Sequence, residues 1–596
     1  MVSSARMGPP ESPAEATRNR TSRVLDGTLI ILALLPPVLI LALILRYGVN
    51  IPYWDEWDLV PLFDRLASGQ LTFHDLFAPH NEHRMLFPKL VVLVLGSLTH
   101  GNVVFEMGLT WLLAALLGWT LQRLSVHTVA LERRARLAML ALISLFVFSP
   151  AQAENWLMGM QFLFLIPGLC LVLCLCIAGS AIGAVYRWSL CLVLCVVATF
   201  TMGNGLLLWV LVPPALIWAG RREPAATTVV LTGGWLVALG LVLFVYFRGF
   251  AATAPAMGAL AGGGRLLLYL ACFLGGPFSR ATLSPSAIVA GIVGAAVIVF
   301  CLASWAYFAL AARRSPTGPR MVPWLVLGAY SLLSGITAGF FRIKFGTDQA
   351  LATRYVTFSL FGFIALAHVA VLVFQDLKPR TKAQYRRSVA AIGFSGLAVV
   401  AVLQAVSAPV YLREMAAGSR DRRRAREALR FITVVADPGP AAYLHLDIKE
   451  VRERAAVLDR LGLLSRPLVH DASLPAAPAA TAADARYGRL ESLVAVGDGY
   501  EAVGWAAIPE RRAPADIVLL ACERGGGAPI ATMVALPAAP PWNRAAGARG
   551  YLAEAGWRAR LRRAWLPEGT TRISAWGFDR VTGEFHELAG AVSLRR

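Results

Sequence analysis

Charge is what this sequence has least of. Asp, Glu, Lys and Arg make up 15% of its 596 residues, whereas 57% are hydrophobic. A soluble chain carries about a quarter charged and about 45–50% apolar residues. The surplus lies in blocks of about 20 apolar residues, the length that crosses a hydrocarbon core. A soluble enzyme, a disordered chain and a disulfide scaffold are thereby excluded. Cysteine is equally sparse, at eight residues. Cys170, Cys174, Cys176, Cys191, Cys195 and Cys301 sit inside apolar runs, where a thiol behaves as a small hydrophobe. No CxxC pair with zinc spacing occurs, so neither a metal knuckle nor a disulfide framework is indicated. Any aromatic-basic nucleic-acid motif is also missing. The net charge of +20, from 56 Lys+Arg against 36 Asp+Glu, therefore reads as basic cytoplasmic loops and contacts to anionic headgroups, not as nucleic-acid binding.

What is present is a polytopic α-helical membrane protein. Residues 1–24 are polar, with Arg18, Arg20 and Arg23 ahead of the first apolar run at 25–45. That run is too long for a signal peptide and has no small-residue cleavage site, so it reads as an uncleaved anchor with its N-terminus inside. Further spans are expected near 103–123, 137–150, 161–180, 187–203, 204–220, 226–247, 286–311, 321–339, 356–375 and 388–407, eleven in all. With that parity the inner connections are 124–136, 181–186, 221–225, 312–320 and 376–387. Four of the five are basic, as with Arg133, Arg134, Arg221, Arg222, Arg313, Arg380 and Lys382. The outer loops 46–102, 151–160, 248–285 and 340–355 are longer or carry unusual polar residues. The tail conflicts with charge alone, since Arg413, Arg420, Arg422, Arg423, Arg424, Arg426 and Arg430 fall outside. Long domains translocate despite their charge, and a basic helix can lie on outer-leaflet phosphates.

The domain plan is a cytoplasmic segment 1–24, a transmembrane domain 25–411 and a helical region with a Pro/Ala-rich linker over 412–484. A β-rich domain over 485–596 follows. Segments EAVGWAAI, ADIVLLAC, TRISAWGF and ELAGAVSL alternate between turn residues and predict short strands, about 100 residues of a small β-sandwich. Trp505 and Trp576 could line a sugar-binding face, but such strand tryptophans more often fill a core.

Polar residues cluster in the outer loops. The first reads Tyr53-Trp54-Asp55-Glu56-Trp57-Asp58, then His80-Asn81-Glu82-His83-Arg84, then Phe87-Pro88-Lys89. Adjacent acids beside an apolar boundary raise one another's pKa, which poises one to take a proton near neutral pH. Tryptophan offers a flat apolar face of the kind sugar rings lie on. The bland alternative is a solvated loop with interfacial Trp anchors. His80 and His83 could share a helix face and hold a metal, but polar substrate contact or structural hydrogen bonding ranks above that. In the second loop, Glu154, Asn155, Trp156 and Gln161 suit a hydroxyl-rich ligand, or Glu154 caps the next helix. Before the tenth span stand Arg342, Lys344, Asp348, Gln349, Arg354 and Tyr355, cations that suit a phosphate unless Arg354 snorkels to headgroups. The Gly203-Asn204-Gly205 turn and the pairs Pro36-Pro37 and Pro213-Pro214 read as a hairpin turn and as kinks.

This layout resembles the GT-C superfamily of membrane glycosyltransferases, which includes protein O-mannosyltransferases and the lipid A aminoarabinose transferase. The resemblance covers 25–407. It rests on a first span, a large outer loop opening with an acidic pair, a His-containing stretch, an acidic second loop and a late Arg-Tyr. The pattern WDEW…HNEHR…ENW…RY is similar to that of a bacterial branch. WDEW replaces a bare Asp-Glu pair, and HNEHRMLFP replaces His followed by Pro-Pro. The resemblance implies a polyprenyl-phosphate sugar donor and transfer with inversion to a glycan, lipid or protein acceptor at the outer face of the bacterial inner membrane. Asp55 or Glu56 would be the base and Arg354 would contact phosphate, with Trp54, Trp57, Asp58, His80, Glu82, His83, Arg84, Glu154, Asn155, Trp156, Gln161, Lys344 and Tyr355 as substrate contacts. No cofactor is required by these residues, and a divalent metal is compatible with them. Two rivals are a flippase of lipid-linked glycans, which would carry charges near the bilayer midplane, and a non-catalytic glycan-binding scaffold.

Overall fold

The computed structural model describes residues 13–81, 83–221, 223–249, 263–281, 286–378, 383–474, 485–524, 528–537 and 550–594. Glu82, Arg222, Arg380 and Lys382 lie outside the described residues, as do 1–12 of the N-terminal segment, much of loop 248–285 and nearly all of the linker. The chain divides into two compact units. One comprises Met1–Gly48, Phe73–Val91 and Glu106–Met415; the other comprises Val49–Thr72, Val92–Phe105 and Ala416–Arg596. The acidic opening of the first loop therefore belongs to the same unit as the C-terminal residues.

The first unit is helical. Among the described residues eight helices are long and apolar enough to cross a membrane: Arg23–Tyr47, Val104–Thr128, Arg133–Leu157, Gln161–Ala178, Ala225–Phe247, Ala287–Leu310, Gly318–Phe345 and Thr353–Leu377. Each covers one of the expected spans. Three expectations remain. Two fall on the shorter helices Ala184–Thr199 and Gly203–Ala219. At 1.5 Å per residue, a helix of 16 residues is about 24 Å long, short of the roughly 30 Å hydrocarbon core. The third, 388–407, lies inside the 47-residue helix Ala383–Leu429, many of whose side chains fall outside the described residues, and that helix runs on into the arginine-rich segment. Two more short apolar helices, Leu86–Leu98 and Gly263–Phe278, fall where loops were expected.

Packing in this unit relies on small residues, which let helix backbones approach in lipid. A Cβ on Gly275 or Gly294 would collide with the backbone of Ala290 or Ala271. The proline pair of the first span is also accommodated by a neighbour. Pro36 and Pro37 lie within the helix Pro13–Tyr47. Pro37 has no N–H for the Ala33 carbonyl four residues back. The Ser144 hydroxyl supplies the missing donor at 2.6 Å. Ser144→Ala should therefore lower stability by about 1–3 kcal/mol, the cost of stranding a buried acceptor, while Ser144→Thr should restore most of it. Thermal unfolding in detergent checks both.

The second unit joins a helical part to a sheet. Val49, Ile51, Trp57 and Val60 from the first loop share one buried cluster with Ala425, Leu429, Ile432, Leu444, Val451, Ala455, Leu458 and Leu468. The helix Ile448–Arg460 starts at Asp447, whose carboxylate accepts the Lys449 N–H at 2.8 Å. The strands are β1 Gly488–Val496, β2 Gly499–Ile508, β3 Ala513–Pro514, β4 Ile517–Arg524, β5 Ile530–Pro537, β6 Gly556–Arg562, β7 Thr570–Phe578, β8 Phe585–Glu587 and β9 Val592–Ser593. They pair antiparallel in the order β1-β2-β6-β5-β4-β7-β8, with β3 on β2 and β9 on β7. Gly497, with φ +61°, opens the two-residue β1–β2 turn, where a positive φ is required. The strands follow one hydrogen-bonded path where two separate sheets were expected. Reciprocal bonds between Leu490 and Ala589 (2.8 Å) and between Ala589 and Gly488 (3.0 Å) bring the chain after β8 back to β1. Trp557, Leu520, Leu561 and Ile573 fill one face, while Trp576, Phe578 and Leu519 pack on Phe431 and Val435 from the helical part. Trp576 is thus a core group, and Trp505 is half-buried.

Candidate active site

In the C-terminal unit the WDEWDL sequence forms a 3₁₀ helix, Trp54–Leu59. The aromatic and acidic side chains separate sharply there. Trp57 is fully buried, whereas Trp54 is 40% exposed. Trp54 has φ +53°, a conformation that bulky residues rarely adopt. Its N–H donates to the Leu444 carbonyl at 2.8 Å, which pins that turn to the C-terminal part. The carboxylates divide in the same way. Asp55 is exposed beside Trp54. Glu56 is 8% exposed and accepts the Tyr53 N–H at 3.1 Å, closing the helix start. Asp58 accepts from Arg454 at 2.6 Å, and the same guanidinium nitrogen reaches Glu450 at 2.8 Å. His445 completes a group in which Asp58, His445 and Glu450 each offer a ligand atom within 4.8 Å of the others. Tyr53 lies between the Arg422 guanidinium (5.5 Å) and the Tyr443 ring (5.4 Å), and burial holds its phenol well above the usual range.

In the helical unit the second loop and the start of the tenth expected span lock together. Glu154 accepts from the Arg354 backbone N–H (2.9 Å), the Thr353 hydroxyl (3.1 Å) and the Arg354 guanidinium (3.2 Å). It caps a helix, but one that begins 200 residues later. Asn155 donates to the Arg354 carbonyl at 3.1 Å and to Thr357 at 2.8 Å, and Thr357 also bonds Gln152. Trp156 is fully buried and donates to the Ser149 carbonyl at 2.9 Å. Asn155, Trp156 and Trp57, expected as substrate contacts, are therefore interior groups that fix the frame. Gln161 and Tyr355 are buried as well. Arg354 keeps 33% of its side chain exposed despite its pairing, and Lys344 is exposed.

The His80–Arg84 stretch is not helical. His80 and His83 exchange backbone bonds of 2.8 and 3.0 Å across a tight turn, with Asn81 at φ +49°. The shared helix face on which the metal alternative rests is absent there. His83 Nδ1 accepts from Gly203 at 3.4 Å. Arg84 is 4% exposed and donates to the carbonyls of Phe77 (2.7 Å), Tyr246 and Arg248. It closes the C-terminal end of Ala225–Phe247, where carbonyls attract a cation. Burial lowers its pKa, and it serves as a clamp, not an open substrate contact.

Sequence reasoning missed three buried ionisable side chains in the span helices. Glu106 accepts the Met160 N–H at 2.7 Å, Asp376 accepts from Tyr307 at 2.7 Å, and His368 stacks on Trp324 at 3.6 Å. Glu106 and His368 stood in apolar runs, which is itself the signal, and Asp376 stood just past the end of one. No protein-family model matches this chain, and no curated protein matches it.

Proposed function

We propose that this membrane protein is a glycosyltransferase that moves a sugar from a polyprenyl-phosphate donor to an acceptor hydroxyl at the outer face of the bacterial inner membrane. The observation that carries this reading is the separation of the first-loop carboxylates. Asp55 alone among the three is exposed, and it stands next to an exposed indole held out by a left-handed turn. Strained backbone of this kind concentrates at functional sites. Asp55 takes the acceptor proton as its oxygen attacks the anomeric carbon. The bond from that carbon to the lipid phosphate breaks with inversion, and the phosphate leaves ionised. One acid suffices, because the leaving group needs no proton, unlike that of a glycosidase. In the helical unit, Arg354 and Lys344 are the cations assigned to the donor phosphate. The orientation in this reading places the N-terminus in the cytoplasm and residues 412–596 outside.

The flippase alternative draws on Glu106, His368 and Asp376. Each already has a local partner, however, and His368 is held by Ser125 at 3.0 Å and the Ile364 carbonyl at 2.7 Å. The test is transfer from a pool of radiolabelled polyprenyl-phosphate sugars by purified wild type and Arg354→Ala. Wild type should transfer label, and Arg354→Ala should need about tenfold more donor, the loss of one charge-assisted contact. No transfer with any donor or extract, while labelled lipid crosses proteoliposomes, would overturn the enzyme in favour of the flippase.

A further inference from the structure

We infer that Asp58, His445 and Glu450 form a binding site for one divalent transition-type cation, zinc or manganese. This goes beyond the transfer reaction and stands whether or not that reaction does. The three ligand atoms lie within 4.8 Å of one another, and all three residues are half-buried. A tetrahedral zinc with ligands at about 2.0–2.2 Å spaces them roughly 3.3 Å apart, so small side-chain rotations close the group. One imidazole nitrogen and two carboxylate oxygens suit zinc or manganese, and the lack of a thiolate disfavours soft cuprous ion. Three protein ligands leave a fourth position open, the pattern of reactive zinc sites as opposed to closed structural ones.

One further feature favours a cation here, and one competes with it. The ligands sit on well-defined local structure: Asp58 in the 3₁₀ helix Trp54–Leu59, Glu450 in the first turn of Ile448–Arg460, and His445 just before it. His445 Nδ1 accepts the Asp447 N–H at 3.1 Å, which puts the ring proton on Nε2; ligation through Nε2 therefore requires the other tautomer, in which Nδ1–H donates to the Asp447 carbonyl 3.4 Å away. The competing feature is a cation already in place. One nitrogen of Arg454 bridges Asp58 Oδ1 and Glu450 Oε2 at 2.6 and 2.8 Å. Metal entry is then an exchange: the guanidinium swings out and the divalent ion takes its place between the carboxylates.

The experiment uses the full chain in nanodiscs, stripped with chelator and equilibrated with zinc alone, then with manganese alone. Metal per chain is measured after dialysis, and zinc X-ray absorption reports the ligand shell. One equivalent with a nitrogen/oxygen shell and imidazole scattering is expected. Asp58→Asn and His445→Gln should each weaken binding at least about tenfold, while Arg454→Met, which keeps every ligand and removes the competing cation, should bind at least as tightly as wild type. The wild-type spectrum needs no variant, so a variant that fails to fold does not blunt the test. No stoichiometric metal in wild type, or a shell without imidazole, overturns the site. Metal bound by Arg454→Met but not by wild type also overturns it, making Arg454 the resident cation. None of these readouts depends on sugar transfer.

Discussion

Asp55→Asn should lower sugar transfer by about 10²–10⁴-fold, the usual contribution of a positioned general base. The amide is nearly the same size but cannot accept the acceptor's proton, so the loss belongs in kcat and not in donor binding. Asp55 is exposed, so its replacement leaves the buried cluster around Trp57 untouched. Glu56→Gln should behave in the opposite way. Its carboxylate accepts the Tyr53 N–H at 3.1 Å, and weakening that link costs about 0.5–2 kcal/mol of stability with transfer little changed. Kinetics and thermal unfolding on the two variants separate base from cap. Equal loss of transfer in both, tracking equal loss of fold, would sink Asp55 as the base.

What could be read from the sequence is what local patterns encode. Apolar blocks about 20 residues long specify helices whatever their neighbours, and eight of the expected spans coincide with long apolar helices. Short apolar segments set between turn residues likewise placed β2, β4 and β7. Length blurred two of the others, because Ala184–Thr199 and Gly203–Ala219 are apolar but short. The site was half legible. Its acids and indoles stood out, but their directions depend on one backbone angle. In a regular 3₁₀ helix residues three apart share a face, so Trp54 and Trp57 should point together. The left-handed Trp54 breaks that repeat, leaving one indole buried and the other exposed. Partners far along the chain were not legible at all. Asp58 meets Arg454 396 residues later, and Glu154 caps a helix 200 residues away. The i,i+4 spacing of Glu450 and Arg454 was visible on a predicted helix, but nothing local says that an aspartate from the first loop reaches the same guanidinium nitrogen.

Arg511→Met should destabilise the β-rich part by about 3 kcal/mol, near the low end for breaking a buried ion pair. One nitrogen of Arg511 donates to Asp516 and to Asp579, both at 2.6 Å. Asp516 keeps a second partner in Arg580 at 3.3 Å, whereas Asp579, only 3% exposed, retains the Val581 N–H at 2.9 Å. The variant thus leaves a buried carboxylate without its counter-ion, and Arg511's own partial exposure keeps the cost from being larger. Hydrogen exchange of β4 and β7 in the full chain measures the effect, with a rise in exchange of about 10²-fold at neutral pH. The pH dependence has a definite sign. Burial tends to raise the Asp579 carboxyl, but the Val581 N–H and the Arg511 guanidinium outweigh it and hold it below its ordinary value. Its folded pKa is depressed, so its contribution is fully present above the unfolded value of about 3.9 and is lost as pH falls through the folded one. The gap between wild type and Arg511→Met should therefore be widest at neutral pH and shrink below about pH 4. Asp579→Asn, which cannot ionise, should lose the acid-dependent component altogether. Unchanged protection in Arg511→Met at pH 7 would mean that water or Arg580 already neutralises Asp579, and that the strand pairing of β4 with β7 holds this end of the sheet without the arginine.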